Sequence, residues 1–227
     1  MKKLIIPALA ALLSLPMQAQ NCDIFIPYEE GTVLTYTSYN AKGKEVGQSR
    51  QTLVSRTEDA GATVFLMRQE NLSDKKAEPV EFTYRCEGDR FIIDMNSFVD
   101  PKQQESYKDM QMDITFESID IPKGVTPGTS LKDGSVTMKV VSDSPINIQT
   151  KVLITNRKVE AIESVTTPAG TFECLKISQT ITTDMGMMKI TIKSVDWIAK
   201  NIGNVKSETY NKQDKMVGSQ VLTAIVK

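Results

Sequence analysis

The 227 residues contain no histidine. The Ser-His-Asp and Cys-His arrangements need an imidazole to move the proton, so those forms of nucleophilic catalysis are excluded. The usual catalytic zinc sites need the same ring. Cysteine is scarce: Cys22, Cys86 and Cys174 are the whole set, and Trp197 is the only tryptophan. An excess of charge of one sign is absent too. The formal balance is −1, and no basic block interleaves with aromatics, so nucleic acid is not an expected partner. No stretch has the apolar length of a spanning helix: the run from Leu4 to Leu15 falls short of the roughly 20 residues a bilayer requires.

What is present begins with a leader. Lys2 and Lys3 precede the apolar run, and Pro16-Met17-Gln18-Ala19 closes it. A basic start, a short apolar core and a small final residue describe a secretory signal peptide over 1–19. Cleavage after Ala19 leaves 227 − 19 = 208 residues, and losing Lys2 and Lys3 takes the charge from −1 to −3. Asn21 before Cys22 fits lipid attachment poorly, so the expected product is soluble, exported to the periplasm or cell envelope, and without a transmembrane segment. In that oxidising setting three cysteines imply one disulfide and one leftover thiol.

The remainder, 20–227, is expected to be a single all-β domain. Gly31–Tyr39, Val46–Val54, Ala62–Gln69 and Val80–Cys86 alternate as half-buried strands do, with turns at Asn40–Lys44 and Glu87–Asp89. Arg90–Met95 follows. Asp100-Pro101, with Gln103 three residues after the aspartate, predicts an N-cap and a short helix over 101–110. Further strands are expected at Ile114–Ser118, Ser135–Val141, Ile146–Val165, Phe172–Thr182 and Met187–Ala199. Two of them change phase. Ile148, Val152 and Ile154 give way to Val159 and Ala161, and Met188, Ile190 and Ile192 give way to Val195, Trp197 and Ala199. A one-residue slip moves the apolar set to the other face, so each slip implies a bulge or a crossing between sheets. The fold expected is therefore long, twisted antiparallel strands in a curved sheet, open barrel or sandwich. Strand parity puts Cys86 at the end of the sheet where Cys22 enters. Cys22–Cys86 is the expected bridge, with Cys86–Cys174 the alternative.

The chain also repeats itself. Tyr39-Asn40-Ala-Lys-Gly-Lys44-Glu-Val46-Gly47 matches Tyr210-Asn211-Lys-Gln-Asp-Lys215-Met-Val217-Gly218 at a constant offset (210 − 39 = 171). Either two similar hairpins or two pseudo-symmetric sheet elements account for the match.

Several of these segments carry a family likeness. Asn156-Arg-Lys-Val-Glu160, Thr167-Pro-Ala-Gly-Thr-Phe-Glu-Cys-Leu-Lys-Ile177, the Asp196-Trp197 pair with Gly203-Asn-Val-Lys-Ser-Glu208, and the closing Tyr210 to Gly218 hairpin resemble the TapB-like proteins. These are exported β-proteins of Gram-negative bacteria, related to a larger domain family of unknown function. The resemblance implies a periplasmic or envelope-associated β domain and carries no catalytic residue.

Candidate sites are few. Met110 and Met112, and the cluster Met185, Met187 and Met188, offer soft thioethers for Cu(I), but methionine also fills irregular core gaps. With no histidine and no Cys-x-x-Cys, no metal site is assigned. Trp197, flanked by Tyr36, Tyr39 and Tyr210, is the candidate lining of a ligand pocket; a core anchor is the alternative. Asp94, Asp196, Glu173 and Glu208 lie on or beside strands, where carboxylates usually meet solvent. No cofactor and no catalytic constellation are expected. The function expected is non-enzymatic binding of an apolar ligand, a lipid or an envelope protein. The alternative is a structural or assembly factor without a small-molecule pocket.

Overall fold

Residues rich in Thr, Val and Ile, cut by Gly and Asn turns, form strands almost throughout. The computed structural model describes residues 22–74, 76–95, 111–141 and 148–227. They comprise β1 Val33–Asn40, β2 Glu45–Asp59, β3 Ala62–Asn71, β4 Val80–Glu87, β5 Arg90–Ile93, β6 Gln111–Glu117, β7 Ile119–Pro122, β8 Gly134–Val141, β9 Ile148–Thr167, β10 Gly170–Asp184, β11 Lys189–Ala199, β12 Gly203–Asn211 and β13 Met216–Val226. The all-β expectation is met. The leader over 1–19 and the helix expected over 101–110 lie outside the described residues.

The strands join one sheet in the order β6-β8-β9-β10-β11-β12-β13-β1-β2-β3-β4-β5-β7. Every pairing is antiparallel. The two edge strands, β6 and β7, are separated in the chain by Ser118 alone. Edges joined by one residue must lie side by side, so the sheet curls into a nearly closed barrel. Gly134 sits at this seam. A Cβ there would stand 2.3 Å from Ile119 Cγ2 and 2.8 Å from the Glu117 carbonyl oxygen, so only glycine lets β8 pass beneath the junction. Arg157 of β9 reaches the same seam, where its Nη1 donates to the carbonyls of Asp120 (3.1 Å) and Lys132 (2.6 Å).

The internal repeat proves to be two neighbouring hairpins of one design. β1 pairs with β13, so the β1–β2 and β12–β13 turns stand side by side, with Asn40 opposite Gly218. In each turn the asparagine carboxamide accepts from two backbone N–H groups: Lys42 and Lys44 on Asn40, Gln213 and Lys215 on Asn211. The position after the middle of the turn has positive φ, at Gly43 (74°) and Asp214 (58°).

The first phase slip is a bulge. The β9–β10 register shifts between Lys176 and Ile177 and between Ser178 and Thr180, beside the segment from Thr155 to Ala161. The second is not. β10 and β11 keep unbroken register from Leu175↔Ile198 to Asp184↔Lys189. There the residues change character instead of face. Ser194 and Asp196 occupy the same face as Ile198, which packs on the central core, while Trp197 and Ala199 build a separate apolar cluster. The expectation of a bulge or a crossing between sheets on β11 between Ile192 and Val195 is therefore corrected. The apolar-inside rule failed because the interior is polar at this level and the opposite face is covered.

The main core draws on strands from all round the curl: Leu53, Phe65, Met67, Phe82, Phe91 and Ile177 are among its members. Its floor is the segment ahead of β1. Phe25 and Ile26 are 4% and 3% exposed, and the Phe25 ring meets Phe91 edge-on at 5.8 Å. Each such side chain contributes about 1.5–3 kcal/mol by leaving water. Cys22 and Cys86 form a disulfide with their α-carbons 5.9 Å apart, and Cys174 is a buried free thiol. This leader segment, the stretch from Cys22 to β1 that follows the expected signal peptide, is thereby fastened to the end of β4.

Candidate functional site

Among the described residues, two adjoining cavities open on the inner face of the curl. One, about 250 Å³, is bounded by Phe25 and Ile26 from the segment ahead of β1 and by Met67, Tyr84 and Ile177 from the wall. Polar groups also face it: Gln51, Arg157, Gln179, Asp196 and Asn204. The second, about 400 Å³, is lined by Val136 and Met138 of β8, Thr150, Val152 and Ile154 of β9, and Ile181 of β10. Ile93, Met95 and Ile119 complete it. Cross-strand register explains the uniform lining: Val136 pairs with Val152, Met138 with Thr150, and Ile154 with Ile181, so all share one face. Thr150 is the only residue of the nine with a polar side chain. Ile93 and Ile119 line both cavities, so the two adjoin.

The polar layer is a connected network. Gln179 accepts from Arg157 Nε through its carbonyl (3.3 Å) and donates through its amide to Asp196 (3.0 Å). Ser194 and Ser207 also donate to the Asp196 carboxylate, at 2.9 and 2.6 Å. Burial is the first cause of both shifts here. It raises the Asp196 pKa above the ordinary carboxylate value, against those three hydrogen bonds and the more distant Arg157 charge. It lowers that of Arg157 to about 10, opposed by Asp120, Asp133 and Asp196. Arg157 is 3% exposed.

Trp197 lines neither cavity. Its indole Nε1 donates to the Glu163 carboxylate at 2.5 Å, and the ammonium groups of Lys176 and Lys206 lie 5.0 and 4.6 Å from its ring centroid. Those contacts describe a covered anchor with a polar handle. The indole hydrogen bond, first, holds the Glu163 carboxyl below its usual range. Tyr36 is buried in another apolar cluster with Leu34 and Leu222. Burial pushes its phenol pKa up, and the hydroxyl has no partner among the described residues. Tyr39 lies beside Glu45 and Ser219 at the hairpin end of β1. The Tyr210 hydroxyl donates to Glu208, which with burial raises its pKa to about 12. The four aromatic candidates thus do not converge on one pocket. The carboxylates are scattered as well: Asp196 faces the interior, whereas Glu208 pairs with Lys206 at 2.7 Å. Met185, Met187 and Met188 stand exposed at the β10–β11 turn. Met110 lies outside the described residues. Among the described residues no cluster of Cys, Asp and Glu could hold a metal ion.

Sequence reasoning missed Arg157, Gln179 and the β8–β9 apolar wall. The available signal was the phase change between Ile154 and Val159, which brackets Arg157 and marks the bulge beside it.

Comparison with known proteins fits this architecture. The model of the DUF3108-like family matches residues 29–222, most of the sheet. The chain belongs to the DUF3108-like family. Two solved structures share the fold of this DUF3108-like chain. One is a protein from Bacteroides fragilis described as exported and as having a YmcC-like fold, with a TM-score of 0.70 at 22% identity over 91% of this chain and 100% of that one. The other, from Parabacteroides distasonis, is described as a lipoprotein, with a TM-score of 0.70 at 24% identity over the same shares. A search of curated proteins found no match.

Proposed function

We propose that this DUF3108-like chain is an exported, non-enzymatic envelope module that holds a single-chain apolar ligand inside its curled sheet. The observation that carries this reading is the cavity of about 400 Å³ walled by Val136, Met138, Val152, Ile154 and Ile181. That volume lies in the range of small-molecule sites, which are concave, mostly apolar and few per protein. Leaving such a wall to water forgoes about 25 cal/mol for each Å² of apolar surface that a ligand would cover.

The leader-like first 19 residues support export. So do the descriptions of the two neighbours, one as exported and the other as a lipoprotein. The disulfide uses the Cys22 sulfur, the atom that lipid attachment would need, and this favours a soluble form. The finer TapB-like resemblance agrees with an envelope location.

The neutral probe N-phenylnaphthylamine tests the reading, because it fluoresces when it leaves water. The wild-type protein should bind it, and Met138→Trp, which fills the cavity from a half-buried position, should weaken binding at least about tenfold. No enhancement with the wild type, or equal binding by the variant, overturns the pocket. A second reading, an assembly factor docking through an apolar patch, draws on the fully exposed Met187 with Met188 and Ile190 at the β10–β11 turn. That reading gains if the probe finds no site and substituting Met187 and Met188 by serine abolishes association with an envelope protein.

A further inference from the structure

Arg157 is the most buried basic residue among the described residues, at 3% exposure, and none of its hydrogen bonds is to a carboxylate. Nε is satisfied by the Gln179 carbonyl, and Nη1 by the carbonyls of Asp120 and Lys132. Nη2 has no hydrogen-bond partner among the described residues. No acidic side chain lies within ion-pair distance of the guanidinium among them either. Asp120 turns one oxygen to Arg90, at 2.7 Å, and leaves the other unpaired. Asp196 is engaged by Gln179, Ser194 and Ser207. Burying a cation without a directly bonded counter-charge is costly, so such groups are normally paired. Arg157 instead lines the cavity of about 250 Å³, with the Asp120, Asp133 and Asp196 carboxylates acting on it from a distance.

The inference deepens the ligand-binding reading and rests on it. We propose that Arg157 anchors the head group of a carboxylate-bearing single-chain amphiphile, whose tail runs into the adjoining apolar cavity. Charge, shape and volume each narrow the ligand. One free nitrogen, Nη2, on one cation matches one negative charge. A dianionic phosphate would bring a second charge next to the buried Asp196. The cavities of about 250 and 400 Å³ share Ile93 and Ile119, so a head on Arg157 and a tail against Val152 can belong to one molecule. A methylene group occupies the ~30 Å³ of a liquid water molecule, so the apolar cavity takes on the order of 13 carbons. A two-chain lipid exceeds both cavities together.

Displacement of N-phenylnaphthylamine by dodecanoate, dodecanol and dodecyl phosphate separates the possibilities. The three share a tail and differ in the head. On the wild type, dodecanoate should compete at a concentration at least about tenfold below that of dodecanol, as a charge-assisted hydrogen bond to a buried guanidinium requires. Arg157→Gln should erase that preference while leaving dodecanol unchanged, and Arg157→Lys should retain part of it. Equal competition by dodecanoate and dodecanol on the wild type overturns the anchor but leaves the apolar pocket standing. Tighter binding of dodecyl phosphate overturns the carboxylate assignment. Absence of probe binding altogether removes the pocket and the anchor with it. Because Arg157 also holds two carbonyls at the barrel seam, Arg157→Gln could fail to fold. The wild-type comparison of heads decides the matter without it.

Discussion

Replacing Cys22 by alanine tests how the leader segment is held. The bridge to Cys86 spans a sequence separation of 64. In the chain-entropy account, closing a loop of that length disfavours the unfolded state by about 4 kcal/mol at 25 °C. Cys22→Ala removes the cross-link yet leaves the buried Cys86 sulfur in the core, so little packing is lost with it. The leader keeps other ties. Phe25 and Ile26 stay in the core, Asp23 accepts from Gly124 N at 3.1 Å and pairs with Lys200 at 2.9 Å, and Asn201 N donates to the Ile24 carbonyl. The variant should therefore fold and lose about 2–4 kcal/mol. Equilibrium urea unfolding, followed by Trp197 emission, measures this directly. With a slope of about 2 kcal/mol per molar, the midpoint should fall by roughly 1–2 M. The slope should also rise slightly, because an uncrosslinked chain unfolds to a more open ensemble. A midpoint shift under about 0.5 M, with the bridge verified in the wild type by peptide mapping, would refute the assignment of the tie as a major stabiliser.

Two further outcomes follow from the seam and from the polar interior. Gly134→Ala should destabilise the barrel by about 1–3 kcal/mol, since the new methyl meets Ile119 and the Glu117 carbonyl; thermal unfolding equal to wild type would mean that the seam is not tight. Asp196 has a folded pKa raised above its ordinary 3.8, so its contribution is complete below that value and is lost as pH rises through the folded value. Asp196→Asn removes that titration, and its melting temperature should decline less with rising pH than that of the wild type; parallel curves would show that the carboxyl does not titrate abnormally.

Strand propensity, Gly and Asn turns and the duplicated hairpin were legible in the chain itself, because each is a local property. Asn40 and Asn211 each shape their own turn with their own carboxamide, and no distant residue is needed. The lack of histidine is equally independent of folding. The end at which Cys86 lies also follows from the sequence, since antiparallel meanders alternate direction. What tertiary structure decided is which face of a strand is inside. On β11 the sequence places Val195, Trp197 and Ala199 as the apolar set, and local periodicity would turn them inward. The curl instead turns Ser194 and Asp196 inward with Ile198, while Lys176, Lys206 and Glu163 cover the indole. Closure brings β5 and β7 round to β8, β9 and β10, so Ile93 and Ile119 share a wall with Val152, which no pattern within one strand encodes. Arg157 is the clearest case. A lone arginine in a Thr-rich strand looks solvated from its neighbours alone, and only closure of the sheet buries it, with Nη2 unpaired among the described residues.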